Sequence, residues 1–265
     1  FRNLTVLQQR IITALILAPL ALAAIFFLDN QAFALAMAVP LLLGAWEWAN
    51  LMGIHDNVKK AKVIGSVAAG LVLVGLTGFH WVVLIGALWW AIAFVLVRQY
   101  PGGVHQWEPE ARMWGLGLIV LVPAWQGLVY LQGQVDGSMW VLYVMLLVWG
   151  ADTGAYFAGR KFGKRKLAPS VSPGKTVEGL LGGLALTSVL ALLVAAFSPA
   201  AQQMGVEGFL FTSLLAVLAS VVGDLFESMA KRHRGVKDSS NLLPGHGGVL
   251  DRIDSLTAAV PVFVT

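Results

Sequence analysis

The sequence contains no cysteine and very little charge. The absence of cysteine excludes disulfide bonds and thiolate metal sites. Only 12% of the 265 residues are charged, 58% are hydrophobic, and the mean hydropathy is +0.77. A soluble globular domain carries about 25% charged residues and could not bury so much apolar surface. The composition therefore predicts an integral membrane protein.

Long apolar runs separated by short polar connections predict an all-α, polytopic fold with about nine transmembrane helices. A helix rises 1.5 Å per residue and needs about 20 apolar residues to cross the hydrocarbon core. A membrane β-barrel would instead show alternating segments of about ten residues. The ninth run starts near Val249 and stops at Thr265, which is too short to span, so we expect the C-terminal helix to be truncated. The other runs cover residues 10–28, 31–53, 63–79, 81–97, 112–132, 138–158, 176–197 and 208–227.

The basic residues all lie on one side of this predicted topology. The connections after the first, third, fifth and seventh runs contain no Lys or Arg. By the positive-inside rule, the N-terminus and the alternate connections then face the cytoplasm. The eighteen basic residues are Arg2, Arg10, Lys59, Lys60, Lys62, Arg98, Arg112, Arg160, Lys161, Lys164, Arg165, Lys166, Lys175, Lys231, Arg232, Arg234, Lys237 and Arg252.

Four acidic residues lie inside or at the end of apolar runs: Glu47, Asp152, Asp224 and Glu227. Acids within a membrane span are energetically costly and usually face an interior site. The helix rise places Glu47, Asp152 and Asp224 about 21–24 Å from the outer surface, in the cytoplasmic third of the bilayer. Each acid is therefore a candidate site residue, although Glu47 and Glu227 are equally compatible with a purely structural role.

Polar residues on the last two predicted helices recur at spacings that place them on one helix face. Opposed carboxylates on two such faces repel each other unless a cation lies between them, and Mg²⁺ binds through one or two carboxylates plus substrate phosphates. The alternative is that Asp251, Arg252 and Asp254 only cap a helix and pair with basic loop residues. The two sets are Asp224, Glu227, Ser228 and Lys231 on one helix, and Asp251 and Asp254 on the other.

The connection over residues 159–175 contains six Lys or Arg residues and is followed by Thr176. Its end, Gly174-Lys175-Thr176, imitates a P-loop, but that motif needs glycine at position 169, where the chain has Pro169, and a preceding strand. We therefore reject a P-loop. At the start of the seventh helix, this segment would offer free backbone N–H groups and an ammonium to an anion. The alternative is a topology signal or a patch for anionic lipid.

The connection over residues 228–248 contains the glycine-rich stretch Gly245-His246-Gly247-Gly248. Glycine allows sharp turns and a close approach of the backbone to a ligand. His246 is therefore either a phosphate donor or a packing residue of the loop.

Three stretches form a set of motifs with fixed gaps. They are Ser228-x-x-Lys231-Arg232 with Lys237-Asp238 and His246-Gly247-Gly248-x-x-Asp251-Arg252-x-Asp254, then Trp149-Gly150-Ala151-Asp152-Thr153-Gly154-Ala155-Tyr156, and Ser172-Pro173-Gly174-Lys175-Thr176-x-Glu178-Gly179. Together they resemble the phosphatidate cytidylyltransferases, also called CDP-diacylglycerol synthases, in a short bacterial-type form. The resemblance covers essentially the whole chain.

The resemblance implies transfer of CMP from CTP to phosphatidic acid, which gives CDP-diacylglycerol and pyrophosphate. It also implies a requirement for Mg²⁺, suggests K⁺ as a second cation, and implies a homodimer. The expected location is the bacterial inner membrane, with a multi-pass chain and an active site that faces the cytoplasm. Residues 1–265 would form a single membrane-embedded cytidylyltransferase domain, with N-terminal spans over about 10–132 and a catalytic part over about 138–265.

By match to the family, Asp224 and Asp251 would bind the metal. Lys231 and Arg252 are the further catalytic candidates, because they would offset charge on the phosphates. The candidate substrate-binding residues are Asp152, Lys166, Ser172, Lys175, Thr176, Ser228, Arg232, Lys237, Asp238, His246 and Asp254.

Two other functions compete with this interpretation. Intramembrane acids also mark cation-coupled transporters, but transport sites lie near the midplane and need access from both faces. A CDP-alcohol phosphotransferase would show a DGxxAR pattern, which the sequence lacks.

Overall fold

The computed structural model describes residues 5–78 and 80–265. Arg2, assigned above to the basic N-terminal segment, and Phe79, the predicted end of the third run, lie outside the described residues. The elements are α1 (Val6–Phe27), α2 (Asn30–Leu51), α3 (Asn57–Thr77), α4 (Trp81–Gln99), α5 (Glu110–Gln132), α6 (Gly137–Phe162), β1 (Lys166–Ala168), β2 (Ser172–Thr176), α7 (Val177–Phe197), α8 (Pro199–Gln203), α9 (Val206–His233) and α10 (Leu250–Val264).

The helices confirm the predicted all-α, polytopic fold. Within the described residues, eight helices are long and apolar enough to cross a bilayer, namely α1 to α7 and α9. Helix α10 has 15 residues, which corresponds to about 22 Å of rise, and it forms the predicted ninth run. Asp29 and Asp56 cap α2 and α3 by accepting hydrogen bonds from the Ala32 and Lys59 amides at 2.8 and 2.7 Å, so short polar connections begin new helices efficiently.

Several helices extend further into the polar segments than the hydrophobic runs indicated. Helix α3 begins at Asn57 rather than at residue 63, and α9 continues to His233 rather than to residue 227. Lys and Arg are good helix formers, and cations in the last turn complement the helix dipole. As a result, Lys231 and Arg232 are fixed on a helix instead of belonging to a loop.

The connection between α6 and α7 folds into an antiparallel hairpin, which the sequence did not predict. Lys166 pairs with Thr176 and Ala168 pairs with Ser172. Gly174-Lys175-Thr176 therefore lies on a strand that leads directly into α7, and Thr176 is the N-cap of that helix. The predicted position at the start of the seventh helix is confirmed, whereas the prediction of free backbone N–H groups there is wrong for Val177 and Gly179. The first amides of α7 are already satisfied, because the Val177 amide donates to the Arg165 carbonyl at 2.9 Å and the Gly179 amide donates to the Thr176 hydroxyl at 3.1 Å.

The core of the bundle is aromatic and is centred on Phe226 of α9. The ring of Phe226 stacks with Trp48 of α2 at 6.0 Å between centroids and meets Trp89 and Trp90 of α4 edge-on at 5.8 and 5.9 Å. All four side chains are buried. Aromatic pairs of this kind contribute beyond the area they bury, so they fix the C-terminal half of α9 within the bundle.

Polar contacts at one end of the bundle join the segments that carry the basic residues. Lys59 of α3 lies 3.6 Å from Glu110 of α5, and His233 of α9 lies 3.5 Å from Glu108. Helix α1 reaches the same end, where the Arg10 side chain donates to the Gly245 carbonyl at 2.9 Å. The predicted charge asymmetry thus corresponds to one physical face of the molecule, which we call the basic end.

Candidate active site

A cavity of about 520 Å³ opens near the basic end, between α1, α6, α9, α10 and the loop that precedes α10. It contains most of the acidic and basic residues that the sequence analysis selected. Lining residues with ionisable side chains are Asp152, Asp224, Lys231, Asp238, His246, Asp251, Arg252 and Asp254. Residues from three predicted spans and one loop therefore converge in this cavity.

Close packing of α9 against α10 positions the acids of the two helices side by side. A Cβ atom at Gly223 would lie 2.6 Å from the Asp254 carbonyl oxygen and 2.9 Å from the Ala258 side chain. Only glycine allows this approach. It places Asp224, the next residue of α9, across from Asp254 in the wall of the cavity.

Lys231 is the cation between the two acidic faces. Its ammonium lies 2.5 Å from Asp251 Oδ1 and 3.3 Å from Glu227 Oε1, and the residue is only 8% exposed. The sequence predicted that opposed carboxylates need a cation between them. Among the described residues, Lys231 supplies that charge for Glu227 and Asp251.

Asp224 is paired with the hairpin. Its Oδ2 accepts from the Lys175 ammonium at 2.7 Å, and its Oδ1 accepts from the Ser228 hydroxyl at 3.2 Å. The side chains of Lys175 and Asp224 are 26% and 27% exposed, so this ion pair is far more accessible than the one at Lys231.

Asp251 organises the loop before α10. Its Oδ2 accepts from the Ser239 amide at 3.0 Å, from the Gly248 amide at 2.7 Å and from the Ser239 hydroxyl at 3.0 Å. With Lys231 on Oδ1, these contacts fill most of the four acceptor positions of a carboxylate. In this structure Asp251 therefore does what the alternative interpretation described: it binds backbone amides next to the start of α10 and pairs with a lysine.

Glu47 is fully buried and holds the N-terminus of α10. Its two oxygens accept from the Val249 amide at 2.9 Å, the Leu250 amide at 2.6 Å, the Ser240 hydroxyl at 2.5 Å and the Ser239 hydroxyl at 3.1 Å. A carboxylate is favourable there because the helix N-terminus has a positive dipole end. The sequence left the role of Glu47 open, and the structure assigns it to holding the loop and α10.

The loop passes so close to Glu47 that it needs glycine. A Cβ atom at Gly248 would lie 2.5 Å from Glu47 Oε1, and Gly247 has φ +83°, which side-chain-bearing residues rarely adopt. The glycine stretch therefore serves the turn that carries backbone donors to Asp251 and Glu47.

A second cavity of about 390 Å³ lies between α6, α7 and the hairpin. We call it the smaller cavity, and the one of about 520 Å³ between α1, α6, α9 and α10 the larger cavity. Its polar lining includes Tyr156, Arg160, Lys175 and Thr176, and Asp152 contributes to both cavities. Tyr156 and Arg160 interact through a 3.2 Å hydrogen bond, with the arginine as donor. Neither was selected from the sequence as a site residue, although Tyr156 ends the Trp149–Tyr156 motif and Arg160 is one helical turn further on.

Some predicted substrate-binding residues lie elsewhere. The Arg232 side chain donates to the Val171 carbonyl of the hairpin at 3.2 Å, so in this structure it ties α9 to the hairpin. Lys166, Ser172 and Lys237 are absent from the lining of both cavities. Ser228 contacts the site through Asp224.

His246 is partly buried in the loop and faces the larger cavity. Burial lowers the pKa of its imidazole below the usual 6.5, and the positive charge of Arg252 lowers it further. The ring is therefore neutral at pH 7. A neutral imidazole still donates one hydrogen bond, so both roles proposed for His246 remain compatible with the structure.

The acids of the larger cavity are compatible with Mg²⁺ that arrives with substrate phosphates. Within the described residues, no group of three or more His, Cys, Asp or Glu side chains is arranged to hold a metal ion. Mg²⁺ does not need such a group, because it binds through one or two carboxylates plus phosphates and water. Asp224 and Asp254 each keep unoccupied acceptor positions, whereas Asp251 is nearly saturated.

Sequence comparison connects this architecture to known proteins. Residues 8–265 match the profile of the Cytidylyltransferase family. Similar proteins named phosphatidate cytidylyltransferase occur in Pseudomonas aeruginosa, 50% identical over 97% of this chain and 95% of that protein, and in Haemophilus influenzae, 41% identical over 97% of each. One from Brucella suis is 36% identical over 96% of this chain and 90% of that protein.

Proposed function

The chain belongs to the cytidylyltransferase family, and we propose that it transfers the cytidylyl group of CTP to phosphatidic acid. The products are CDP-diacylglycerol and pyrophosphate. The observation that carries the proposal is the cavity near the basic end, where acids, Lys231 and Arg252 meet the apolar wall of a membrane helix. The names of the similar proteins agree with this substrate pair.

In the proposed reaction, an oxygen of the lipid phosphate attacks the α-phosphorus of CTP in line. A new P–O bond forms, and the bond from the α-phosphorus to the bridging oxygen breaks, so that pyrophosphate leaves. A phosphomonoester has a second pKa near 6 and is already largely a dianion at neutral pH. The reaction therefore needs no general base, which agrees with a site built from acids and cations.

The difficulty of this reaction is electrostatic, because two polyanions must approach each other. Arg252 in the larger cavity would bind the lipid phosphate, and Lys231 would add positive charge to the site from its ion pairs with Glu227 and Asp251. Lys175 and Arg160 in the smaller cavity, together with the Thr176 hydroxyl, would bind the phosphates of CTP. Charge-assisted contacts of this type strengthen in a site that excludes water.

Mg²⁺ would be held by Asp224 and by the acceptor position that Lys231 leaves open on Asp251 Oδ1, with Asp254 in support and K⁺ as a second cation. Bound there, the ion would neutralise charge that develops on the phosphates. In this structure the Lys175 ammonium is paired with the Asp224 carboxylate. Binding of the nucleotide would therefore move the ammonium from the carboxylate to a phosphate. Asp152, which borders both cavities, would orient either the cytidine or Lys175.

We also propose that the basic end faces the cytoplasm of a bacterial inner membrane and that the protein forms a homodimer. The one-sided distribution of Lys and Arg supports the orientation. Reagents that do not cross membranes would modify an introduced cysteine at the basic end only in inverted vesicles. Cross-linking in membranes at low protein density would test the dimer.

The experiment that tests the function is incubation of the purified protein with labelled CTP, Mg²⁺ and phosphatidic acid. We expect one labelled lipid that comigrates with CDP-diacylglycerol, together with release of pyrophosphate. Omission of phosphatidic acid, or chelation of the metal, is expected to abolish the product. If the complete mixture gives no labelled lipid, the proposal is wrong and a transport function must be tested instead.

A further inference from the structure

One wall of the larger cavity is apolar and belongs to α1. Residues at helical spacings of three, four and seven share one face of this helix and line the cavity: Ala14, Leu17, Ala18 and Ala21. Ala14 and Ala18 are exposed, and Leu17 is 39% exposed. On the other side, Val148 and Trp149 of α6 continue the apolar lining. These side chains lie beside, rather than among, the acids of α9 and α10.

The same face of α1 is packed against the bundle nearer the other end of the helix. Ile25 is 2% exposed, and its carbonyl accepts from the Ser138 hydroxyl of α6 at 2.6 Å. At the basic end, the Thr13 hydroxyl donates to the Pro244 carbonyl at 2.9 Å, beside the Arg10 contact with Gly245. Helix α1 is therefore attached at two levels, and its small residues border open space between them.

This open space is chemically complementary to an amphiphilic molecule, because one part of it is charged and the other is apolar. Its polar part holds Lys231 and Arg252, and the Arg252 guanidinium forms no ion pair or hydrogen bond within residues 5–78 and 80–265. Its apolar part lies along α1 at the depth of the bilayer. A free nucleotide has no aliphatic chain that could contact the apolar part. A phospholipid with a phosphomonoester headgroup would contact both parts, the charged part through its phosphate and the apolar part through an acyl chain.

We propose that the face of α1 formed by Ala14, Leu17, Ala18 and Ala21, together with Trp149, is the acyl-chain site of the phospholipid substrate. The lipid reaches it sideways from the bilayer, past α1 and α6, and its phosphate comes to lie at Arg252. The assignment of the lipid as a substrate rests on the proposed function, but the binding site itself can be tested separately. The small side chains at positions 14, 18 and 21 leave room for the chain.

The absence of cysteine makes a direct test possible, because a single introduced cysteine is a unique attachment point. Ala18→Cys places it on the proposed site, and Ile16→Cys is the matched control. Ile16 is 51% exposed and lies about 160° around the helix from Ala18. Each variant is placed in liposomes and treated with a bulky apolar maleimide. Dioleoyl phosphatidate is expected to slow labelling at position 18 and not at position 16.

Enzymatic consequences follow from the same variants. Modified Ala18→Cys is expected to show a KM for dioleoyl phosphatidate raised about tenfold, because the bulky attached group takes the space of the acyl chain, with the KM for CTP unchanged. Modified Ile16→Cys is expected to resemble the unmodified protein. Equal effects of modification at both positions, or no effect at position 18, would overturn the acyl-chain site while unmodified variants still form product.

A second measurement uses the unaltered protein and does not depend on variant folding. Phosphatidate with a photoreactive group in the acyl chain is expected to label peptides of α1 and α6. Another apolar cavity, of about 810 Å³, lies between α4, α7 and α9, and labelling confined to those helices would overturn the proposal. Labelling of α1 by photoreactive phosphatidylcholine to the same extent would show a general bilayer contact and would also overturn it. Labelling of α1 without product formation would contradict only the proposed reaction.

Discussion

Replacement of Glu47 should destabilise the site from a position that contacts no substrate. Glu47 accepts four hydrogen bonds, two from the first amides of α10 and two from Ser239 and Ser240. In Glu47→Ala the serine hydroxyls can turn to other acceptors, and Ser239 already reaches Asp251. The two amides cannot. A buried donor left unsatisfied costs about 1–3 kcal/mol, so we expect a loss of about 2–6 kcal/mol.

The loss should reach the reaction through Asp251. Ser239 donates to both Glu47 and Asp251, and the Gly248 amide that binds Asp251 lies one residue before the amides held by Glu47. Removal of Glu47 therefore loosens the loop that fixes Asp251. We expect kcat to fall and the Mg²⁺ concentration needed for half-maximal rate to rise, with a smaller change in the KM for CTP.

Glu47→Gln should rescue only part of the loss. All four partners of Glu47 are donors, and a glutamine offers one acceptor oxygen and one NH₂ group that is itself a donor. Its NH₂ group would face a backbone amide or a hydroxyl that now donates to Glu47, and two donors facing each other form no hydrogen bond. The rank order of thermal stability in detergent should therefore be wild type, Glu47→Gln, Glu47→Ala.

The matched control for Glu47 is Gln126→Leu. Gln126 is 5% exposed, and its Oε1 has no hydrogen-bond partner among the described residues. Its replacement by a similar apolar side chain should leave stability unchanged or slightly higher. A Glu47→Ala protein with the melting temperature and Mg²⁺ dependence of the wild type would refute the reasoning.

Three further predictions concern residues that line the cavities. Asp224→Asn and Asp251→Asn should each lower Mg²⁺-dependent product formation by about 100-fold or more, but only Asp251→Asn should also lower the melting temperature, because it alone has the buried Lys231 partner. Lys175→Ala should raise the KM for CTP about tenfold. In the absence of nucleotide, this variant should also bind Mg²⁺ more tightly, because Asp224 has lost its lysine partner. Lys164→Ala, on the same connection, should change neither the KM for CTP nor Mg²⁺ binding. His246 has a lowered pKa, so its contribution to stability is complete above pH 6.5 and lost as the pH falls through the lowered value. His246→Asn should therefore reduce the loss of melting temperature between pH 7.5 and 5.5, and an unchanged pH profile would contradict this.

The membrane fold could be predicted because hydropathy and helix length are local properties. Asp224 and Lys231 were selected for the same reason, since a spacing of seven positions in a helix places both on one face. Helix ends were less predictable. Lys231 and Arg232 lie past the apolar run, yet they remain helical at the end of α9.

Contacts between distant parts of the chain could not be predicted in the same way. Glu47 lies 203 residues from Leu250, its partner at the N-terminus of α10, and no spacing rule connects them. The hairpin escaped prediction because β1 has three residues and β2 contains proline and glycine. Its consequence, the ion pair of Lys175 with Asp224, was therefore also missed.

The two internal ion pairs explain how so many acids coexist near the basic end. Lys231 and Asp251 have side chains that are 10% and 5% exposed, whereas Lys175 and Asp224 are 26% and 27% exposed. Breaking a buried pair leaves an uncompensated charge and is strongly destabilising, but an accessible pair exchanges partners at little cost. Lys231 is therefore a permanent counterion that shapes the site. Lys175 is the exchangeable one, because a phosphate can take the ammonium while a cation takes Asp224, and each charge stays compensated throughout.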